Sequence, residues 1–417
     1  MKVNEAHWRR NIYLFLTSQF LTGITSMIVQ YAIIWYLTKE TGSATILSIA
    51  TILGMLPMAL LSPFVGPLVD RWKKKALLIV PDIVAAIFAI ILSVSGGVFH
   101  VFPVWLIFVS LLMRSIAQTF QMPTIQSVMP TMVPDAELTR VNGQLGMVQS
   151  ANMVIAPALG AFLFAIIPMQ YLILLDVLGA ILGISFLIWV QIPNNEKIDA
   201  ALHMLHNTKL GLQQLMGNKG LWYITITGAV FMLLIMPASS MYPLMTMKYF
   251  QGTVGQAGFI EVLYSSGMLA GGAIIGIWGN WADRMKPVIF SLFLVGVPTG
   301  ISGLLPGNQT GFIWFAILNV IEGVASPLFN TLLMAMIQQS YPAKQLGRIL
   351  GVLNSILSLT GPLGLIFAGP LADSLGVETL FIIAGIGTVI CGIFVLLIPV
   401  MRQYDIRLQE RLSEAEK

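Results

Sequence analysis

Twelve apolar runs of about twenty residues or more follow one another along this 417-residue chain, and no other property narrows its fold as far. At 1.5 Å per residue, a helix of that length crosses a hydrocarbon layer of about 30 Å. The runs cover approximately residues 11–37, 44–69, 76–97, 102–125, 140–167, 170–192, 220–247, 256–281, 287–305, 311–338, 345–370 and 376–401. They are continuous rather than alternating, and in lipid each segment must satisfy its own backbone hydrogen bonds, so helices are expected and a barrel is not. With only 10% charged residues and a mean hydropathy of +0.85, a water-soluble globule is excluded, since about a quarter of such a domain is charged. The first run continues as an ordinary span without a small-residue cleavage site, so no removable leader is expected.

Lysine and arginine near helix ends stay on the cytoplasmic side. With the N-terminus inside, 19 of the 22 fall in cytoplasmic segments, Arg114 lies within a span, and only Lys39 and Lys248 face outward. Both termini are therefore expected in the cytoplasm, and membrane lipids are expected partners. The net charge of +4 follows from this bias and points to no nucleic acid. The single cysteine, Cys391, lies in the last span and can form no intrachain disulfide.

The chain is doubled. Gly66-Pro67-Leu68-Val69-Asp70-Arg71-Trp72-Lys73-Lys74-Lys75 ends the second run, and a reduced copy, Gly279-Asn280-Trp281-Ala282-Asp283-Arg284-Met285-Lys286, ends the eighth, 213 positions later. At the same offset Gly42 matches Gly255, and Gly54-Met55-Leu56 matches Gly267-Met268-Leu269. Beyond the third run the offset is 208, where Pro134, Leu138, Arg140 and Gly143 match Pro342, Leu346, Arg348 and Gly351. Such repetition predicts an all-α membrane protein of twelve spans, built as two six-helix bundles about a pseudo-two-fold axis. The expected parts are a first bundle (1–192), a cytoplasmic linker (193–219), a second bundle (220–401) and a cytoplasmic tail (402–417). Leu205 to Met216 is amphipathic and suits the inner surface. His203 and His206 lack the carboxylate or thiol that would complete a metal set, so they read as solvated linker residues. The tail alternates in charge and reads as an exposed, helical end.

Twelve spans, a central linker and Gly-x-x-x-Asp-Arg after spans two and eight resemble the major facilitator superfamily over nearly the whole chain. Within it, Ile33-Ile34-Trp35-Tyr36-Leu37-Thr38, Thr41-Gly42-Ser43-Ala44, Val69-Asp70-Arg71, Arg114-Ser115-Ile116 and Asp176-Val177-Leu178-Gly179-Ala180 are similar to the macrolide-efflux branch of bacterial drug exporters. The resemblance implies a multi-pass protein of the bacterial inner membrane. It also implies a conformational latch at Gly66, Asp70, Arg71 and Lys75 and at Gly279, Asp283 and Arg284, against the alternative of a topology signal alone. Lys73-Lys74-Lys75 stands where the family usually has a glycine-containing run. Ala156-Pro157-Ala158-Leu159-Gly160-Ala161 stands where the exporters carry Gly-Pro-x-x-Gly-Gly, so that motif alone does not argue export.

Charges inside a bilayer are expensive unless paired or hydrated, which makes each a functional candidate. There are five: Asp82, Arg114, Asp176, Glu261 and Glu322. Arg114 and Glu322 are 208 apart and occupy equivalent places in the two halves, so they are expected to face each other. Glu322 is the leading proton carrier, with Arg114 as its countercharge and Glu261 as a second carrier; a permanent structural ion pair is the alternative. Asp176 is a further proton-coupling candidate, although it and Asp82 lie on helices that in the family pack outside the cavity, which favours structural hydrogen bonding. Polar stripes at helical spacing define a watery path: Gln19, Thr22, Ser26 and Gln30 in span one, Gln118 and Gln121 beside Arg114, and Asn319, Ser326 and Asn330 around Glu322. Tyr31, Met236 and Tyr264, with Met27, Trp35 and Met241, supply an apolar lining suited to amphipathic ligands.

These features point to an exporter of amphipathic, macrolide-like molecules, driven by the proton gradient through alternating access and working as a monomer without cofactor or metal. An exporter of an endogenous siderophore, lipid or metabolite, or a proton-coupled symporter, uses the same helices. No nucleotide-binding loop, His-Glu-x-x-His run or serine nucleophile elbow marks an enzyme.

Overall fold

The computed structural model describes residues 8–100, 102–134, 137–192, 204–279 and 281–415; within these, the side chains of 62–64, 66–68, 70–71, 139, 204–208, 343–344 and 347 lie outside the description. Among the described residues, twelve helices are long and apolar enough to cross a membrane, and they match the twelve apolar runs to within a few residues at most ends. Packing divides the chain into two compact units: Met1–Thr41, Ala50–Ala201 and Val254–Val262 form unit 1, and Gly42–Ile49, Leu202–Thr253 and Leu263–Lys417 form unit 2.

Unit 1 holds α1 (Trp8–Thr41), most of α2 (Ala44–Arg71), α3 (Lys74–Val98), α4 (Val104–Gln118), α5 (Gln121–Met132), α6 (Leu138–Ile166), α7 (Met169–Leu172) and α8 (Leu175–Trp189). Helices α4 and α5 make one span with a break at Thr119 and Phe120. Pro123 explains the break, because it has no N–H for the Thr119 carbonyl. Helix α1 packs against α6 and α8. Gly179 and Gly183, one turn apart on α8, face Thr25 and Thr22 of α1 so closely that an added Cβ would overlap the threonine side chains. Ser18 then reaches across to donate to the Gly183 carbonyl at 2.8 Å. Without a hydrophobic drive between helices in lipid, such small-residue contacts let backbones approach and dispersion hold them.

Unit 2 holds α9 (Met204–Gly217), α10 (Lys219–Ser240), α11 (Tyr242–Leu244) with a π turn at Met245–Tyr249, α12 (Val254–Trp278) beyond its first residues, α13 (Met285–Ser302), α14 (Gln309–Ser340), α15 (Ala343–Leu375), α16 (Val377–Leu397), α17 (Pro399–Arg402) and α18 (Tyr404–Ala415). Helix α13 packs on α14 and α16. Gly296 and Gly300 of α13 meet Gly385 of α16, a second pair of small residues one turn apart at a close crossing. The first turn of α2 also belongs here. Gly42 turns the chain with φ +56°, and Asp373 of α15 accepts from the amides of Ala44 (2.7 Å) and Thr45 (2.9 Å) and from Ser43 Oγ (2.9 Å). A carboxylate thus satisfies amides that a helix start leaves without partners.

The linker gains detail and the tail departs from expectation. The amphipathic segment expected on the inner surface is helical, as α9, and one face of it docks on α15, with fully buried Leu215 in the unit 2 core. The tail expected to be exposed forms α18, whose Tyr404, Asp405 and Leu408 are buried. Their spacing of one and four residues puts them on one helix face, and the alternating charges occupy the other.

Candidate functional site

In unit 1 the interruption between α7 and α8 starts a new helix at Leu175, which puts Asp176 in its first turn, where the helix dipole favours an anion. Asp176 Oδ2 forms an ion pair with Arg114 Nη1 of α4, and both side chains are almost completely buried. Ser26 of α1 donates to Asp176 Oδ1 at 3.1 Å, and its carbonyl lies 3.5 Å from Arg114 Nη2. Three helices therefore converge on one charge pair. Beside it lies a cavity of about 230 Å³ lined by Ser26, Met27, Gln30, Arg114, Ser115 and Gln118. A neighbouring cavity of about 220 Å³ shares Ser26, Met27 and Gln118 and adds Gln19, Thr22, Asp82, Gln121, Gln149 and Asn152. Gln19 Nε2, Arg114 Nε and Asn152 Oδ1 are buried here with no partner among the described residues. Buried polar atoms are ordinarily bonded, so this space calls for water or a polar ligand.

Tyr31 stacks on Trp35 with ring centroids 5.5 Å apart. Glu261, half-buried near the start of α12, is close enough to Tyr31 to interact electrostatically.

In unit 2, Glu322 of α14 is buried and accepts from Tyr242 Oη at 2.6 Å. The Tyr242 ring packs among Tyr264, Phe315 and Phe381. Tyr264 Oη donates to Ser326 Oγ at 3.1 Å. Asn319 is buried with neither amide atom bonded among the described residues, Asn330 is exposed, and Met236 lies against Gly361.

Repeat symmetry suggested Arg114 as the countercharge of Glu322. The structure commits its guanidinium to Asp176 instead, and gives Glu322 a neutral phenol. Asp176 accordingly makes an ion pair beyond the hydrogen bonding expected of it, and Asp82, expected outside the cavity, lines it. Tyr242, Gln149 and Asn152 were missed. The signals for them were a tyrosine before Pro243 at a helix break and two amides in an apolar span.

Of the latch residues, the side chains of Gly66, Asp70 and Arg71 lie outside the description. Lys75 Nζ donates to the carbonyls of Ile188 (2.6 Å) and Val190 (3.1 Å), and Lys74 Nζ to that of Ser127 (3.2 Å). Lys75 sits on carbonyls at the end of α8, as cations at helix C-termini do, whereas Lys74 reaches the middle of α5. An added Cβ at Gly279 would overlap the Ile275 carbonyl. Asp283 Oδ1 accepts from the Met285 amide at 3.1 Å, at the start of α13. Arg284 is buried; its Nε donates to Asp405 Oδ1 at 2.9 Å and its Nη2 to Gln339 Oε1 at 2.8 Å.

A multi-pass helical membrane protein with buried charges beside polar cavities defines a transporter. The chain belongs to the Major Facilitator Superfamily, whose family model matches residues 15–251 and 228–413. It is 34% identical over 403 residues to Macrolide efflux protein A of Streptococcus pyogenes, covering 96% of this chain and 99% of the relative. The protein of the same description from Enterococcus faecalis is 33% identical, covering 78% of this chain and all of the relative. Multidrug efflux pump Tap of Mycolicibacterium fortuitum is 24% identical over 410 residues, covering 95% of this chain and 98% of the relative. Among solved structures, a bacterial homologue of the iron transporter ferroportin superposes with a TM-score of 0.73 at 14% identity, covering 95% of this chain and 98% of that one, which speaks for the fold alone.

Proposed function

We propose that this chain exports amphipathic small molecules of the macrolide class across a bacterial plasma membrane, as a monomer driven by the proton gradient, with both termini in the cytoplasm. The full-length similarity to Macrolide efflux protein A carries the reading. The arrangement of charges supports the coupling. A carboxylate closed off from water tends to hold its proton and one opened to water tends to lose it, so a carrier that alternately exposes Glu322 to either side moves protons. Glu322, hydrogen-bonded by Tyr242, is the principal carrier and Glu261 the second. Asp176 and Arg114 form the charge switch of unit 1, flanked by Ser26, Gln30, Gln118 and Gln121, which bind the polar rim of the substrate. Substrate enters while the site faces the cytoplasm and leaves on the outer side as a proton takes its place. The repeated loop motif acts as the latch between conformations.

Transport of a radiolabelled macrolide by proteoliposomes under an imposed pH gradient tests this. Movement against the direction of proton flow is expected. Movement with the protons makes the chain a symporter, and no movement of any macrolide removes the substrate assignment.

A further inference from the structure

One cavity of unit 2 lies away from the buried charges. It encloses about 510 Å³ and is walled by Gln214 of α9, Lys219 at the start of α10, Tyr341 just beyond α14, and Tyr404, Arg407 and Arg411 of α18. The span formed by α10 begins at Lys219 and that of α16 ends at Leu397, so the cavity stands at the membrane boundary. Among the described residues, no acidic side chain lines it. Asp405, the acid next to Tyr404, is engaged by Arg284. Glu410 and Glu414 lie within a turn of the two arginines, yet among the described residues neither Lys219, Arg407 nor Arg411 makes an ion pair. Among the described residues, Arg407 donates to the neutral Gln403 Oε1 at 2.9 Å.

The remaining wall is equally suited to an anion. Helix α10 is 22 residues long and begins here, with Asn218 as its cap. Its first amides, which a helix leaves without intrahelical partners, carry the positive end of the dipole. Asn218 Nδ2 donates to Tyr404 Oη at 2.9 Å, and Ser340 Oγ shares a hydrogen bond with the same phenol at 2.8 Å. Burial pushes the Tyr404 phenol up, and that of Tyr341 up to about 12, so both keep their protons throughout the physiological range. Gln214 Oε1, an acceptor buried in this wall without a partner among the described residues, suits a headgroup hydroxyl rather than the phosphate itself. The phenol protons are spent within the protein, that of Tyr341 on the Gln214 carbonyl and that of Tyr404 on Ser340 Oγ, so the receptor consists of three cations without an ion pair among the described residues and a helix start around one space.

We propose that this cavity binds the phosphate headgroup of an anionic phospholipid, with Lys219, Arg407 and Arg411 as its cationic ligands. The orientation proposed above supplies only the leaflet, the inner one. Arg407 and Arg411 belong to α18, while Lys219 belongs to α10. A bound phosphate therefore clamps the tail helix to the start of the second bundle, with Asp405 holding Arg284 alongside.

The full-length protein in detergent is titrated with dioleoylphosphatidylglycerol, dioleoylphosphatidylcholine and inorganic phosphate, with bound lipid counted by native mass spectrometry. The glycerol lipid is expected to bind in preference to the choline lipid. Arg407→Gln with Arg411→Gln should weaken it roughly thirtyfold at low salt, whereas Arg402→Gln, on neighbouring α17 outside the cavity, should not. Millimolar phosphate that displaces the lipid confirms the phosphate site and adds a soluble source. Phosphate without effect confirms a site that needs the lipid. Should the double variant fail to fold, Lys219→Gln on the exposed rim is expected to weaken binding about fivefold. Equal retention of both lipids by the parent, or equal affinity in parent and variants, overturns the proposal. Macrolide movement is measured separately, so failure here leaves the export reading standing.

Discussion

Replacing Asp176 by Asn strands a guanidinium that is 3% exposed and, among the described residues, paired with no other acid. Removing one partner of a buried ion pair destabilises by about 3–5 kcal/mol, because the charge that remains has lost its compensation without regaining water. Replacing both partners by apolar groups, Arg114→Met with Asp176→Leu, removes the desolvation as well as the attraction. That double variant should lie within about 1 kcal/mol of the parent, or above it. The two positions are in contact, so the cycle should be strongly non-additive, by more than about 2 kcal/mol. Unfolding in mixed micelles followed by tryptophan fluorescence measures all four proteins, and macrolide transport by the folded double variant should be lost. An Asp176→Asn protein as stable as the parent would refute the reasoning, as would a double variant no better than its worse single.

Asp373→Ala removes three hydrogen bonds from the start of α2 and should destabilise by about 1–2 kcal/mol, read in the same unfolding assay, with Asp373→Asn retaining part of the cap. Asp405→Ala leaves Arg284 buried beside Gln339 alone; α18 should then lose amide-exchange protection, and unchanged protection would show that its apolar face alone holds it. A cysteine placed at Lys248 should react with an impermeant maleimide on intact cells, and one at Arg411 only after the membrane is opened. The reverse pattern inverts the orientation.

The twelve spans were readable because a helix in lipid must be long, apolar and self-satisfied, and each condition leaves a mark on a contiguous stretch. Charge partners leave no such mark. Arg114 and Asp176 are 62 residues apart and meet through helix packing, in which Gly179 and Gly183 bring α8 against α1 and Ser26 of α1 completes the site. The duplication pointed instead to Glu322, since symmetry relates equivalent positions but does not say that equivalent positions touch. Tyr242 escaped notice because a phenol in an apolar span looks like packing until its hydroxyl is found on a carboxylate. The burial of α18 was partly visible. Tyr404, Leu408 and Leu412 recur every four residues, but the alternating charges between them drew the reading toward solvent.

The central claim is that a proton carried by Glu322 drives substrate movement. Proteoliposomes containing Glu322→Gln, which keeps the shape and a hydrogen-bond acceptor for Tyr242 but cannot ionise, separate driving from binding. Substrate exchange between equal concentrations on the two sides should continue near the parental rate, while accumulation under a pH gradient should disappear. Gradient-driven accumulation at the parental level in this variant contradicts the account.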